Sequence, residues 1–145
     1  MARMHGKGRG SSGSKSPVNK KVPRWVDYEE EEVVDLVVKL REKGMKPATI
    51  GLKLRDQYGI PDVKTLTGKK ITEILEEEDV AMDIPEDLDN LIEKADGIKE
   101  HLVENKKDQE AERRLELVEA KIRRIAKYHR DQGNIPENWK YKRDE

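Results

Sequence analysis

The chain has 145 residues, enough for one domain with extensions or two small ones. Hydrophobic residues make up 34%, charged residues 42% and Phe is absent, so Leu, Ile and Val can join helices but no large aromatic core can form. Cys is absent too, which excludes disulfides and thiolate metal sites, and no apolar run approaches the roughly 18 residues that span a bilayer.

A formal net charge of −1 hides a strong segregation along the chain. Residues 1–25 carry seven Lys/Arg and no acid. Residues 26–105 carry 11 bases against 22 acids, whereas residues 106–130 carry nine against five. A basic tail, an acidic middle and a basic helix point to nucleic-acid contact at two separate places. The tail, residues 1–26, is rich in Gly, Ser and Pro with almost nothing apolar. It cannot bury enough surface to offset its ordering entropy, so it is predicted to be disordered when free. Its cations Arg3, Lys7, Arg9, Lys20 and Lys21 are candidate phosphate contacts.

From Trp25 onward the pattern is helical. Asp27 is the expected N-cap of a first helix, with Glu29 to Glu32 placed where the helix dipole favours anions. Val33, Leu36, Val37 and Leu40 form its apolar stripe, and Gly44 ends it. Pro47 opens a second helix through Ile50, Leu52, Leu54 and Tyr58, closed by Gly59. A third is predicted from about Thr67 to Glu78 around Ile71, Ile74 and Leu75. These three make a small subdomain, residues 27–80, with helix-turn-helix spacing.

Two longer helices follow in residues 81–131. Leu88, Leu91, Ala95, Ile98 and Leu102 are spaced 3-4-3-4, and Ala111, Leu115, Val118, Ile122, Ile125 and His129 are spaced 4-3-4-3-4. Both stripes suit one heptad-like seam, so the helices should zip antiparallel across the hinge Asn105 to Asp108 as a rod roughly 30 Å long. Gly133 to Pro136 breaks the last helix, and residues 132–145 form a tail with Trp139, Tyr141 and a charged end. The expected fold is therefore all-α: a basic tail, a helical subdomain and a long antiparallel hairpin.

Catalysis finds little support. His5, His101 and His129 show no metal-ligand spacing, and Thr67-Gly-Lys-Lys70 lacks both the upstream Gly and the preceding strand of a phosphate-binding loop. Glu76 to Asp79 reads as a solvated helix end. Nucleic-acid binding is better supported. Arg114, Lys121, Arg124 and Tyr128 fall at steps of 7, 3 and 4 and form one polar stripe on the last helix. Guanidinium groups pair with phosphate, and a tyrosine ring stacks on an unpaired base. The competing reading is a solvated face paired with Glu110, Glu112, Glu116 and Glu119; it weakens beyond Lys121, where no acid remains before Arg130. At the hinge, Asp108 is either a helix N-cap or a ligand of RNA, and His101 either a half-buried seam residue or its companion at the tip.

His101-Leu-Val-Glu-Asn-Lys-Lys-Asp108, Arg113-Arg-Leu115, Leu117-Val118 and Arg124 to Tyr128 resemble the signature of the universal small-subunit ribosomal protein fifteen family. The opening Met-Ala-Arg-Met-His-Gly, Val22-Pro-Arg-Trp25, Ile50-Gly-Leu-Lys-Leu-Arg55 and Pro85-Glu-Asp-Leu88 resemble its archaeal and eukaryotic form. The resemblance implies a non-enzymatic constituent of the small ribosomal subunit that binds the central domain of its RNA and stabilises a helical junction during assembly. By position it implies that His101 and Asp108 face a minor groove and that Arg124 and Tyr128 face the junction, with Lys94 a further candidate. The family's bacterial pattern has Ser three residues after the Asp; Ala111 stands there, which implies one lost hydroxyl contact and a larger share for Lys106 and Lys107. The expected partners are small-subunit ribosomal RNA and neighbouring ribosomal proteins. No cofactor, metal or membrane is implied, and the protein is expected to be monomeric when free and cytoplasmic, on the ribosome. The rival reading is a helix-turn-helix DNA-binding regulator built on Pro47 to Glu78; it requires basic and amide side chains on a helix that instead ends in acids.

Overall fold

The computed structural model describes Gly13, Val18 and residues 20–141. The expected disorder of most of the basic tail, and with it Arg3, Lys7 and Arg9, lies outside the described residues. Among those described there are six α-helices and no strand.

Helix α1 spans Glu30–Glu42. Its N-cap is Glu29, not Asp27, because the Glu32 carboxylate reaches back to the Glu29 backbone N–H at 3.1 Å and so sets where the first turn begins. At the other end, the N–H groups of Gly44 and Met45 bond back to Arg41 and Leu40, with Gly44 left-handed at φ +82°, a Schellman closure. Helix α2 spans Pro47–Gln57, with the proline in the first turn, where its missing N–H costs nothing.

The third predicted helix begins at Ile71 rather than near Thr67, and a short helix that the sequence pattern does not announce precedes it. Helix α3 runs Val63–Thr67 and helix α4 Ile71–Glu77. Thr67, expected at the start of one helix, closes another: its hydroxyl donates to the Val63 carbonyl at 3.0 Å, and Gly68 follows at φ +75°. Helix α4 then restarts on the bond from the Lys70 N–H to Glu73 at 2.8 Å. The subdomain thus has four helices rather than three. Val33, Val37 and Leu40 of α1 pack against Ile50, Leu54, Ile60, Val63, Ile74 and Leu75, all buried. Each such side chain stabilises the fold by roughly 1.5–3 kcal/mol through removal from water. Leu52 is the exception to the predicted stripe: two residues from both Ile50 and Leu54, it points the other way and is 51% exposed. Residues 20–26, assigned by composition to the tail, lie on this subdomain. Val26 packs on its core, Lys20 pairs with Asp62 at 2.8 Å, and the Trp25 indole N–H donates to the Gly59 carbonyl.

Helices α5 (Glu86–Glu104) and α6 (Gln109–Asp131) form the antiparallel hairpin. The predicted seam residues are buried or half-buried, with Ala126 an addition to them. Gly133 at φ +76° ends α6 by a second Schellman closure, Gly133 to Arg130 and Asn134 to His129. The chain then folds back. Ile135 is buried, and Trp139 and Tyr141 cover the hairpin core. The subdomain docks on the base of the hairpin through α2: Lys46 Nζ meets Asp89, Glu93 and Asn90 at 2.6, 2.7 and 2.8 Å, while the Ala48 N–H donates to Glu86 at 2.8 Å. The acids that open α5 thus serve a neighbouring helix start as well as their own.

Lys46→Glu should weaken this docking by about 1 kcal/mol and lower the melting temperature by roughly 2–4 °C, less so at about 1 M salt, where half-exposed pairs are screened. A melting temperature equal to wild type at low salt would show that the lysine bridge does not hold the two parts together.

Candidate nucleic-acid interface

The hairpin exposes a tip and two flanks, and its rigidity decides what they can touch. At the base, His129 Nε2 lies 2.9 and 3.0 Å from the two Asp87 oxygens, and Asn134 Nδ2 lies 3.1 Å from Nδ1. That network suits a ring donating from Nε2 and accepting at Nδ1, a tautomer inferred from its partners. His129 is 7% exposed, so this seam residue is a clamp between α5 and α6 rather than a ligand.

At the tip, the chain turns through Asn105 to Asp108. Asp108 takes the capping role: one oxygen accepts the Ala111 N–H at 3.0 Å as the N-cap of α6, and the other lies 3.0 Å from His101 Nε2. The Ala111 amide, with the His101 ring beside it, holds the Asp108 carboxyl below its ordinary value. His101 is half-exposed, and the Asn105 amide donates to its backbone carbonyl at 3.1 Å. Lys106 and Lys107 are exposed and have no acidic partner among the described residues. Ala111 is buried, with its N–H spent on the cap.

Along α6, residues advance about 100° each. Arg114, Lys121, Arg124 and Tyr128 therefore share one flank, and all four are exposed, Tyr128 by 58%. The flank is not electrostatically uniform. Arg114 is paired with Glu110, and its neighbour Arg113 with Glu116, as the solvated-face reading expects. Arg124 turns its Nε only to the carbonyl of Ala120, and neither it nor Lys121 meets a carboxylate among the described residues. The charge left uncompensated is thus concentrated beside Tyr128. Lys94 is exposed on α5, with no polar contact joining it to this stripe. Lys20 is committed to Asp62 and lowers that carboxyl's pKa, while Lys21 is exposed.

No metal-holding group of acids and histidines occurs among the described residues, and none of the helices is long and apolar enough to cross a membrane. Sequence reasoning missed the Asp87–His129 clamp and the return of Ile135, Trp139 and Tyr141. The one available signal for the second was a pair of aromatic residues just after a helix-ending glycine.

A stiff helical hairpin with a cationic, aromatic flank and a lysine-bearing tip is the form of a structured-RNA binder. Residues 1–60 match the Ribosomal S13/S15 N-terminal domain and residues 70–145 match Ribosomal protein S15. The small ribosomal subunit protein uS15 of Methanospirillum hungatei is 49% identical over 142 residues, covering 98% of this chain and 93% of the relative. Those of Nitrosopumilus maritimus and Schizosaccharomyces pombe are 46% and 44% identical, covering 98% and 97% of this chain and 95% and 93% of theirs. The chain belongs to the ribosomal protein S15 family, whose members are structural, non-enzymatic components of the small ribosomal subunit in the cytoplasm.

The depressed Asp108 pKa has a consequence for stability. An aspartate free in the unfolded chain titrates near 3.8, so its contribution is complete above that value and is lost as pH falls through the lower folded value. Stability of the wild type relative to Asp108→Asn should therefore drop as pH falls below about 4, read as urea midpoints at successively lower pH. A wild-type advantage independent of pH would mean that the charge is not what the Ala111 amide and His101 hold.

Proposed function

We propose that the protein binds the central domain of small-subunit ribosomal RNA and fixes the relative orientation of helices at a junction during assembly. The observation that carries this is the placement of Lys121, Arg124 and Tyr128 together on one exposed flank of a helix whose adjoining face is sealed into a rigid seam. Uncompensated cations supply phosphate contact, and the ring beside them supplies a stacking surface. The tip adds a second point of contact about 30 Å away at most, the length of the rod. There His101, Asp108, Lys106 and Lys107 form a narrow polar end suited to the wide, shallow minor groove of an A-form duplex. Two contacts at a set separation fix an angle between RNA elements, which one patch cannot do. Arg114 joins the flank when phosphate displaces its exposed Glu110 partner, and Lys94 lies within the same protein's reach on α5.

In this reading the acidic face of α1 looks away from RNA, toward solvent or a neighbouring ribosomal protein, and the basic tail joins the RNA as the complex forms. The free protein is monomeric. The DNA-regulator reading is disfavoured by α4 itself: it has seven residues, and its exposed side carries Glu73, Glu76 and Glu77, which phosphate would repel.

Arg124→Glu should weaken binding to a central-domain junction RNA by roughly 30- to 100-fold in a filter-binding titration, because a phosphate partner becomes a repulsive charge. Unchanged affinity would remove this flank from the interface. Deleting residues 1–24 should reduce the slope of log affinity against log salt by roughly 0.7–0.9 for each phosphate contact the tail makes, and an unaltered slope would exclude the tail from the complex.

A further inference from the structure

The flank of α6 opposite Arg124 and Tyr128 carries a second arrangement that the junction reading leaves unused. Arg123, Ala126 and Arg130 lie at steps of three and four on α6, roughly 150° around the helix from the Arg124–Tyr128 stripe. The returning C-terminal segment brings Trp139, Lys140 and Tyr141 against them, and the six residues line an open cleft of about 390 Å³. Lys99 of α5 stands over the Tyr141 ring at 5.3 Å. Among the described residues the acids opposing these cations are Glu119, buried and 3.4 Å from Arg123, and Asp96, 3.6 Å from Lys99, so cations outnumber acids there.

Two polar groups here are shielded from solvent and bonded to nothing among the described residues: Arg130 Nε and the Tyr141 hydroxyl. A desolvated donor recovers its hydrogen bond only when an acceptor enters. Guanidinium groups beside indole and phenol rings suit one chemistry above others, a phosphate joined to a flat, unpaired base. A stripped salt-bridge site for a peptide carboxylate would not need two aromatic walls.

The geometry points to a second RNA site: the cleft between α6 and the C-terminal segment takes an unpaired nucleotide, its phosphate on Arg123, Arg130 and Lys140 and its base against Trp139. This rests on the RNA-binding reading of the protein but assigns a separate face, so that one helix is held between two RNA elements. The segment from Ile135 to Tyr141 is then a binding element as well as a cover for the core.

The chain has two tryptophans, so in full-length protein carrying Trp25→Phe the emission reports Trp139 alone. Titration with a single-stranded oligoribonucleotide of about eight residues should quench that emission saturably, since a stacked base quenches indole. Lys140→Glu and Arg123→Gln, both at exposed positions, should each weaken the quenching about tenfold while leaving the helical circular dichroism unchanged. Arg124→Glu should leave it as it is. Absent quenching, quenching indifferent to both cleft variants, or equal quenching by an acidic peptide of the same length would overturn the site. The two readings fail separately. Unquenched Trp139 with junction binding still sensitive to Arg124→Glu removes only the cleft; quenching that depends on Lys140, with junction binding indifferent to Arg124→Glu, removes only the junction face.

Discussion

Two histidine–aspartate pairs, one at each end of the hairpin, hold α5 and α6 in register. Asp87 with His129 joins the start of one helix to the end of the other, and His101 with Asp108 does the reverse at the tip. Between them the apolar seam supplies most of the free energy, but a Leu- and Ala-lined seam is non-directional and tolerates sliding by a turn. Directional bonds at both ends remove that freedom. A slip of one helical turn, about 5.4 Å, would break both pairs together. Rigidity follows from this, and a rigid rod is what allows a tip and a flank to act at a set distance.

The distribution of charge follows the same division of labour. Acids are used where they hold protein to protein: Glu32 and Glu73 cap their own helices, Glu86 caps α2, and Asp89 with Glu93 receives Lys46. Cations on α6 beyond Glu119 are largely spared such duties. Lys121, Arg124 and Lys127 therefore meet no carboxylate among the described residues, at the end of the helix where the dipole is negative and a cation is stabilised. A net charge of −1 and a cationic flank on α6 are compatible because the acids lie elsewhere, on the exposed sides of α1 and α4 or in contacts that hold protein to protein.

The hairpin was legible in the residues because its signal is redundant. Eleven seam positions, a short polar hinge and a terminal glycine all point to the same pair of helices. The subdomain was less so. The five residues Val63–Thr67 are too few to show a helical period, and only the Thr67 hydroxyl bond and the left-handed Gly68 separate them from the helix that starts at Ile71. Leu52 misled for a related reason, since a two-residue step cannot stay on one helical face. At the site, the exposed stripe from Arg114 to Tyr128 could be read from spacing, but the difference between Arg114, paired, and Arg124, unpaired, could not. Long-range pairs such as Asp87 with His129 and Lys46 with Asp89 leave no local pattern, and the return of Trp139 onto α6 is decided by packing after the helix ends.

In the proposed reading the function turns on the flank that bears Tyr128. A photo-crosslinking residue placed at position 128 in the full chain, bound to intact small-subunit RNA, reads its neighbours directly, with the same residue at Asp35 on the acidic face of α1 as the contrast. The expected result is a crosslink from position 128 confined to one helical junction of the central domain and none from position 35. Crosslinks of equal yield from both positions, or RNA contact from position 35 alone, would contradict it.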